Sequence, residues 1–257
     1  MPERYSEFII HIKRKLGIDL GLYKETQMKR RIISLRNKRG YTNFESYGAA
    51  MDHDPILLQE FIDRLTINVS EFYRNPKRWD VLCNEILPSL LQGTREINIW
   101  SAACSTGEEA YTLAMLAAEF FPKHSVKITA TDIDEQALAK AKQGIYQVQA
   151  LKDLPAKLKD KYFSVNHGLY HVDSDLKKMI HFKKHNLLAD KYPSNMDLIV
   201  CRNVLIYFTD NAKEIIYNNF SKSLKGKGVL FVGSTEQIFT PKIYDLELLD
   251  TFFYQKS

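Results

Sequence analysis

The chain has only three cysteines in 257 residues, Cys83, Cys104 and Cys201. Their number is odd, their spacing is wide, and no two form C-x-x-C. This argues against a disulfide framework and a cysteine zinc site. No apolar run approaches the roughly 18–20 residues needed to cross a bilayer. The opening Met1-Pro-Glu-Arg-Tyr-Ser-Glu lacks the basic-then-apolar layout of a signal peptide. Neither an internal repeat nor a low-complexity tract is present, and no cluster has metal-ligand spacing. These absences set the expectation of a cytoplasmic protein without a metal. Hydrophobic residues at 45% and charged residues at 26% exclude a wholly disordered chain.

Acidic residues are scarce at one end. Residues 1–40 hold 11 Lys and Arg against four acids, a net +7, and the remainder is −2. The overall +5 therefore describes a basic N-terminal patch. Such a patch fits nucleic acid, anionic lipid or an acidic protein surface, or is simply a solvated helix face.

The first 80 residues have helical periodicity. Phe8, Ile9, Ile12 and Leu16 share a face, with Gly17 as a stop. A second helix is predicted over about 26–38, with Met28, Ile32 and Leu35 inward. Its other faces carry Lys29, Arg30, Arg31, Arg36 and Lys38, and Arg39 follows. Two further helices surround Phe44–Met51 and Leu57–Leu65. From residue 80 the pattern becomes alternating helix and strand. Strands are predicted at Ile97–Trp100, Val126–Thr131, Lys178–Phe182, Asp197–Cys201, Gly228–Gly233 and Thr251–Gln255. This rhythm implies an α/β fold with a mainly parallel sheet. Residues 144–177 do not fit one crossover helix, and the spacing predicts an inserted short helix and hairpin.

Ligands of open α/β sheets bind beyond the carboxyl ends of the strands. After the first strand comes Ser101-Ala-Ala-Cys-Ser-Thr-Gly-Glu-Glu109, a run of small residues that lets a ligand approach the backbone. It matches neither G-x-G-x-x-G nor a P-loop, and its two acids oppose a phosphate. The second strand ends in Asp132, a position that can hold ribose hydroxyls; alone it is equally a loop residue. Asp134 has the place of a helix cap. After the fourth strand stand Arg202, Asn203 and Tyr207. Alone these fit a reacting site, or a helix cap and a packing ring.

The strings TINVSEFYRN, WSAACSTGEEAYTLAM, ATDIDEQALAKAKQGIY, HNLL and DLIVCRNVLIYF, in this order, resemble the CheR family. That family comprises S-adenosylmethionine-dependent methyltransferases acting on glutamates of bacterial chemoreceptors. The resemblance implies a Rossmann-like methyltransferase sheet whose last strand is antiparallel. It also implies an all-helical domain over residues 1–75, for receptor docking, and a methyltransferase domain over 76–257 with a β-subdomain at about 144–177. It implies that Asn68, Ser70, Arg74, Glu109, Asp132, Asn186, Leu187, Arg202 and Asn203 hold S-adenosylmethionine, and that Arg74 and Tyr207 lie nearest the transferred methyl. The basic residues Lys29, Arg30, Arg31, Arg36, Lys38 and Arg39 become a docking surface for an acidic receptor helix. Localisation is then cytoplasmic, at membrane receptor clusters. The hairpin turn around Ser164–Gly168 is short, which argues against tethering to a receptor tail peptide. The competing readings are a nucleic-acid methyltransferase and a non-catalytic cofactor-binding module. The absence of prolines after Asn203 counts against the first. The joint presence of Arg74, Glu109, Asp132, Asn203 and Tyr207 counts against the second.

Overall fold

The computed structural model describes residues 4–66, 68, 70–91 and 96–257. Ile67 and Val69 of the first quoted string lie outside the described residues. The N-terminal part is helical: α1 (Tyr5–Leu16), α2 (Glu25–Lys38), α3 (Phe44–His53) and α4 (Pro55–Leu65). Local chemistry sets the ends. Gly17 takes a left-handed φ of 71° after α1. Asn43 caps α3, and Asp54 caps α4 with Pro55 behind it. Phe8, Ile12, Met28, Ile32, Phe44, Tyr47 and Phe61 form the core of this part.

One basic residue departs from the expected surface. Arg36 is only 4% exposed. It falls eight positions after Met28 and four after Ile32, so the helical period turns it inward with them. There its guanidinium lies 4.7 Å from the centroid of the Phe44 ring and bonds to Asn37. Arg36 is therefore withdrawn from the docking surface: it is a packing residue.

The chain continues through α5 (Pro76–Val81), a π-helical turn (Leu82–Ile86) and α6 (Leu87–Leu91). Then come β1 (Ile97–Ala102), α7 (Glu108–Phe120), β2 (Val126–Asp132) and α8 (Glu135–Gln143). The insertion holds β3 (Ile145–Tyr146), α9 (Ala156–Tyr162), β4 (Phe163–Asn166), β5 (Leu169–Val172) and α10 (Ser174–Lys178). The sheet resumes with β6 (Ile180–Lys184), β7 (Met196–Cys201), α11 (Asp210–Ser223), β8 (Leu224–Val232), β9 (Leu246–Asp250) and β10 (Phe253–Lys256).

The large sheet has the order β6-β2-β1-β7-β8-β10-β9. The first five strands pair in parallel, and β10 runs antiparallel to both its neighbours. A separate three-stranded sheet, β3-β5-β4, fills the insertion. Its hairpin turns on His167 and Gly168, both with positive φ, as a two-residue turn requires. Helices cover both faces of the large sheet, so β1 and β7 are almost wholly buried. Two expectations change. The strand expected at Lys178 begins at Ile180, because Asp173 caps a helical turn first. β9 was not expected; it is an edge strand whose Glu247, Leu248 and Leu249 are all exposed, so no alternation marks it.

Candidate active site

The order of connection reverses between β1 and β7, and the carboxyl ends of β1, β2 and β7 meet there. At this switch point opens a cleft of about 1000 Å³, measured to its mouth. Its lining includes Asn68, Ser70, Arg74, Glu109, Asp132, Asn186, Leu187, Arg202, Asn203 and Tyr207. All the cofactor and catalytic candidates thus face one cavity. The helical part contributes Tyr23, Leu65 and Thr66 to the same wall.

The floor is built by the turn after β1. Ala103 and Ser105 adopt positive φ of 63° and 49°, and Gly107 adopts 96°. A side chain at Gly107 would meet Ala141 and Tyr146 at about 3 Å, so glycine there lets α7 and α8 close together. Asp132 holds this turn. It accepts hydrogen bonds from the N–H of Ser105 (2.8 Å) and of Asp134 (2.9 Å). Burial pushes its pKa up to about 6, against the pull of these backbone donors. Asp134 caps α8 as expected and also accepts from Thr66 and from Asn68 (2.7 Å). Asn68 accepts in turn from Ser105 Oγ. The segment before α5 is therefore tied across the cleft to both strand ends. Asn186 differs from its neighbours: its side-chain amide donates to the carbonyl of Gly17 and its oxygen accepts from Leu188.

A second group sits deeper. Arg202 is 7% exposed. Its Nη2 donates to the Arg74 carbonyl and to Asn75 Oδ1, each at 2.9 Å, and its Nη1 lies 3.8 Å from Glu109. Its plane rests near the rings of Trp79 and Phe231. The Arg202 side chain thereby ties down the Arg74 loop. That loop is strained, with Tyr73 and Asn75 at φ of 57° and 61° on either side of Arg74. Glu109 accepts from Ser101 Oγ at 2.9 Å. Burial pushes its pKa up to about 7, although Arg202, Ser101 and Arg74 oppose the rise.

Tyr207 lies at the other rim. Its carbonyl accepts from the N–H of Lys24, and its ring lies 4.8 Å below the Arg31 guanidinium. The basic helix thus reaches the cleft through Arg31. Lys29 lies over the Tyr5 ring, Arg39 pairs with Glu60, and Arg30 and Lys38 are exposed. Two lining or supporting residues carried no sequence signal, Tyr23 and Glu236. Tyr23 packs on Phe208, and Glu236 binds backbone N–H groups around Asn203.

The donor set suits a cationic ligand with hydroxyl groups. Two acids, the buried Asp132 and the partly buried Glu109, are raised toward neutrality by lost solvation, and a nearby cation or hydroxyl donor relieves each. Small side chains between them leave room for a flat ring system, and this set of groups fits S-adenosylmethionine.

Residues 68–251 match the SAM-binding domain of CheR methyltransferases, and residues 3–66 match their all-alpha domain. Fold and match together define an S-adenosylmethionine-dependent methyltransferase. A chemotaxis protein methyltransferase of Listeria monocytogenes is 44% identical over 258 residues, covering 100% of this chain and 98% of its own. One from Borreliella burgdorferi is 36% identical, with 99% and 94% covered. One from Escherichia coli is 33% identical, with 92% and 87% covered. The chain belongs to the CheR methyltransferase family, whose members methylate in chemotaxis.

Glu109 makes a pH prediction. Its folded pKa lies above its ordinary 4.5, so the folded chain holds a proton there that the unfolded chain has lost. That contribution to stability is full below about pH 4.5 and is lost as the pH rises through about 7. A cationic ligand favours the ionised form, so cofactor affinity rises with pH. Calorimetric titration with S-adenosylmethionine is expected to show affinity falling by up to about tenfold per pH unit below 7. Glu109→Gln should flatten that slope; an unchanged slope would remove Glu109 from the charged end.

Proposed function

We propose that this chain transfers a methyl group from S-adenosylmethionine to glutamate side chains of bacterial chemoreceptors, forming methyl esters. The observation that carries the reading is the company kept in one cleft: two desolvated acids, Asp132 and Glu109, with Arg74 and Tyr207 in the same lining. S-adenosylmethionine supplies an electrophilic methyl on a cationic sulfur. A glutamate carboxylate, with a pKa of about 4.3, is ionised at neutral pH and needs no general base. The residues' work is therefore alignment and exclusion of water, and alignment alone is worth roughly 7–11 kcal/mol. Arg74 steers the incoming carboxylate and Tyr207 orients it by hydrogen bonding. Tighter holding by Arg74 would stabilise the ground state, so its role is positioning. Asn68, Ser70, Asn186, Leu187 and Asn203 complete the cofactor's surroundings.

In this reading residues 1–75 hold the docking surface, and the chemistry is carried by 76–257 together with Asn68, Ser70 and Arg74 at the end of the first part. The surface for an acidic receptor helix is Lys29, Arg30, Arg31, Lys38 and Arg39, with Arg31 linking it to Tyr207. Arg30→Glu with Lys38→Glu should raise KM for receptor about tenfold or more and leave cofactor affinity unchanged. Both side chains are exposed, so folding is spared. An unchanged KM would sink the docking role. The function itself is tested with methyl-labelled S-adenosylmethionine and receptor membranes. The expected product is label released by base as methanol. Label in nucleic acid, or none anywhere, rejects the reading.

A further inference from the structure

Glu236 is a buried carboxylate outside the chemistry described so far. It sits in the loop after β8, is 5% exposed, and does not line the cleft. Its Oε2 accepts from the N–H groups of Gly233 (2.8 Å) and Asn203 (2.7 Å). Its Oε1 accepts from those of Leu205 (2.6 Å) and Ile206 (3.3 Å). Three of these donors belong to the segment after β7, which lines the cleft through Asn203, Val204 and Tyr207.

That segment needs support from elsewhere. Asn203 has a φ of 62°, which costs a non-glycine residue energy. Leu205–Tyr207 is a 3₁₀ turn, and the first N–H groups of such a turn have no partner within it. Val204 at its cap has no side-chain acceptor. Leu205 is fully buried, so solvent does not serve it. A carboxylate thirty-odd residues later does the work a local Asp or Ser does at other helix starts.

Gly233 gives independent support. Its φ lies outside the left-handed region, so its backbone does not require glycine. A Cβ there would collide with Glu236 Oε2 and stand 2.9 Å from the Asn203 nitrogen. Glycine at 233 is the space in which the carboxylate sits.

We propose that Glu236 is a positioning residue for methyl transfer. It fixes the Asn203–Tyr207 segment, and so the place of Tyr207 at the acceptor side, without touching cofactor or acceptor. The proposal rests on the reading that puts the acceptor beside Tyr207.

Glu236→Gln keeps the size but sets an NH₂ against two backbone donors. Its kcat with receptor membranes should fall roughly 30-fold or more, since small displacements of reacting groups cost up to about a hundredfold. S-adenosylhomocysteine affinity should fall several-fold less than kcat, because Asn203 is one of several cofactor neighbours while Tyr207 stands on the acceptor side, a split that general loss of folding does not produce. Gly233→Ala should give the same split by pushing the carboxylate away. Adding Glu236→Asp, which withdraws the carboxylate by one methylene, should restore part of kcat. Wild-type kcat in Glu236→Gln or in Gly233→Ala overturns the proposal. If the wild-type chain itself leaves receptors unlabelled, the acceptor reading falls and the proposal with it.

Discussion

Arg202→Met is expected to be the most damaging single change in the cleft. The guanidinium links the Glu109 carboxylate, the Arg74 carbonyl and the Asn75 side chain. Its removal takes the charge-assisted donors from the Arg74 carbonyl and Asn75, which costs about 3–5 kcal/mol over this pair of bonds. At this chain length that lowers Tm by roughly 6–20 °C. Methyl transfer should fall further than the residual folded fraction explains, because the Arg74 loop loses two hydrogen bonds while Tyr73 and Asn75 keep their strain. Arg202→Lys retains a charge but not the fork that reaches both acceptors, so it should lie between. Thermal unfolding of the three proteins decides it: a shift below about 2 °C in Arg202→Met would mean the pair is not structural.

The second large effect belongs to Asp132→Ala. Hydrogen bonds to a charged group are worth about 1.5–3 kcal/mol each. Loss of one or both hydroxyl contacts should weaken S-adenosylmethionine binding by roughly 100-fold, at about 1.4 kcal/mol per tenfold. The same carboxylate accepts from Ser105 and Asp134, so the alanine variant also loses about 1–3 kcal/mol of stability. Asp132→Asn separates the two effects, since its remaining oxygen still accepts one backbone N–H. Wild-type affinity in both variants, by calorimetry, would remove Asp132 from the ligand's surroundings.

The sheet and most of its helices were legible because burial on both faces leaves continuous apolar strands between amphipathic helices. Glu135–Gln143 is bounded as its Asp134 cap and Gly144 stop imply. The strand tips were legible as lining of the cleft because ligands of open sheets bind beyond the carboxyl ends, although Asp132, Asn203 and Tyr207 taken singly fitted a loop, a cap or a packing ring equally well. What escaped has common causes. β9 is an exposed edge of Leu and Glu, with neither alternation nor β-branched residues. Arg36 obeys the helical period, but its charge suggested a surface. Glu236 and the Arg202 side chain act on backbone N–H and C=O groups, which every residue has. No string of residue types marks such partners. The insertion was legible as a short helix and a hairpin, which are α9 and β4–β5; β3 escaped because it is two residues long.

The two parts of the chain are stitched by main chain. Tyr23 bridges Phe208, Lys24 N–H donates to Tyr207, and Thr209 N–H donates to the carbonyl of Leu22. The cleft wall is completed only by this seam, with Tyr23, Leu65 and Thr66 opposite Asp132 and Asn203. A ligand held there acts as mortar. Whatever stabilises the occupied cleft by mass action also resists parting of the helical domain from the sheet. Cofactor concentration thereby governs how far the molecule unfolds as one cooperative unit. The same linkage runs backward: on the proposed docking of the acceptor to the helical domain, its binding would steady the pocket for the methyl donor.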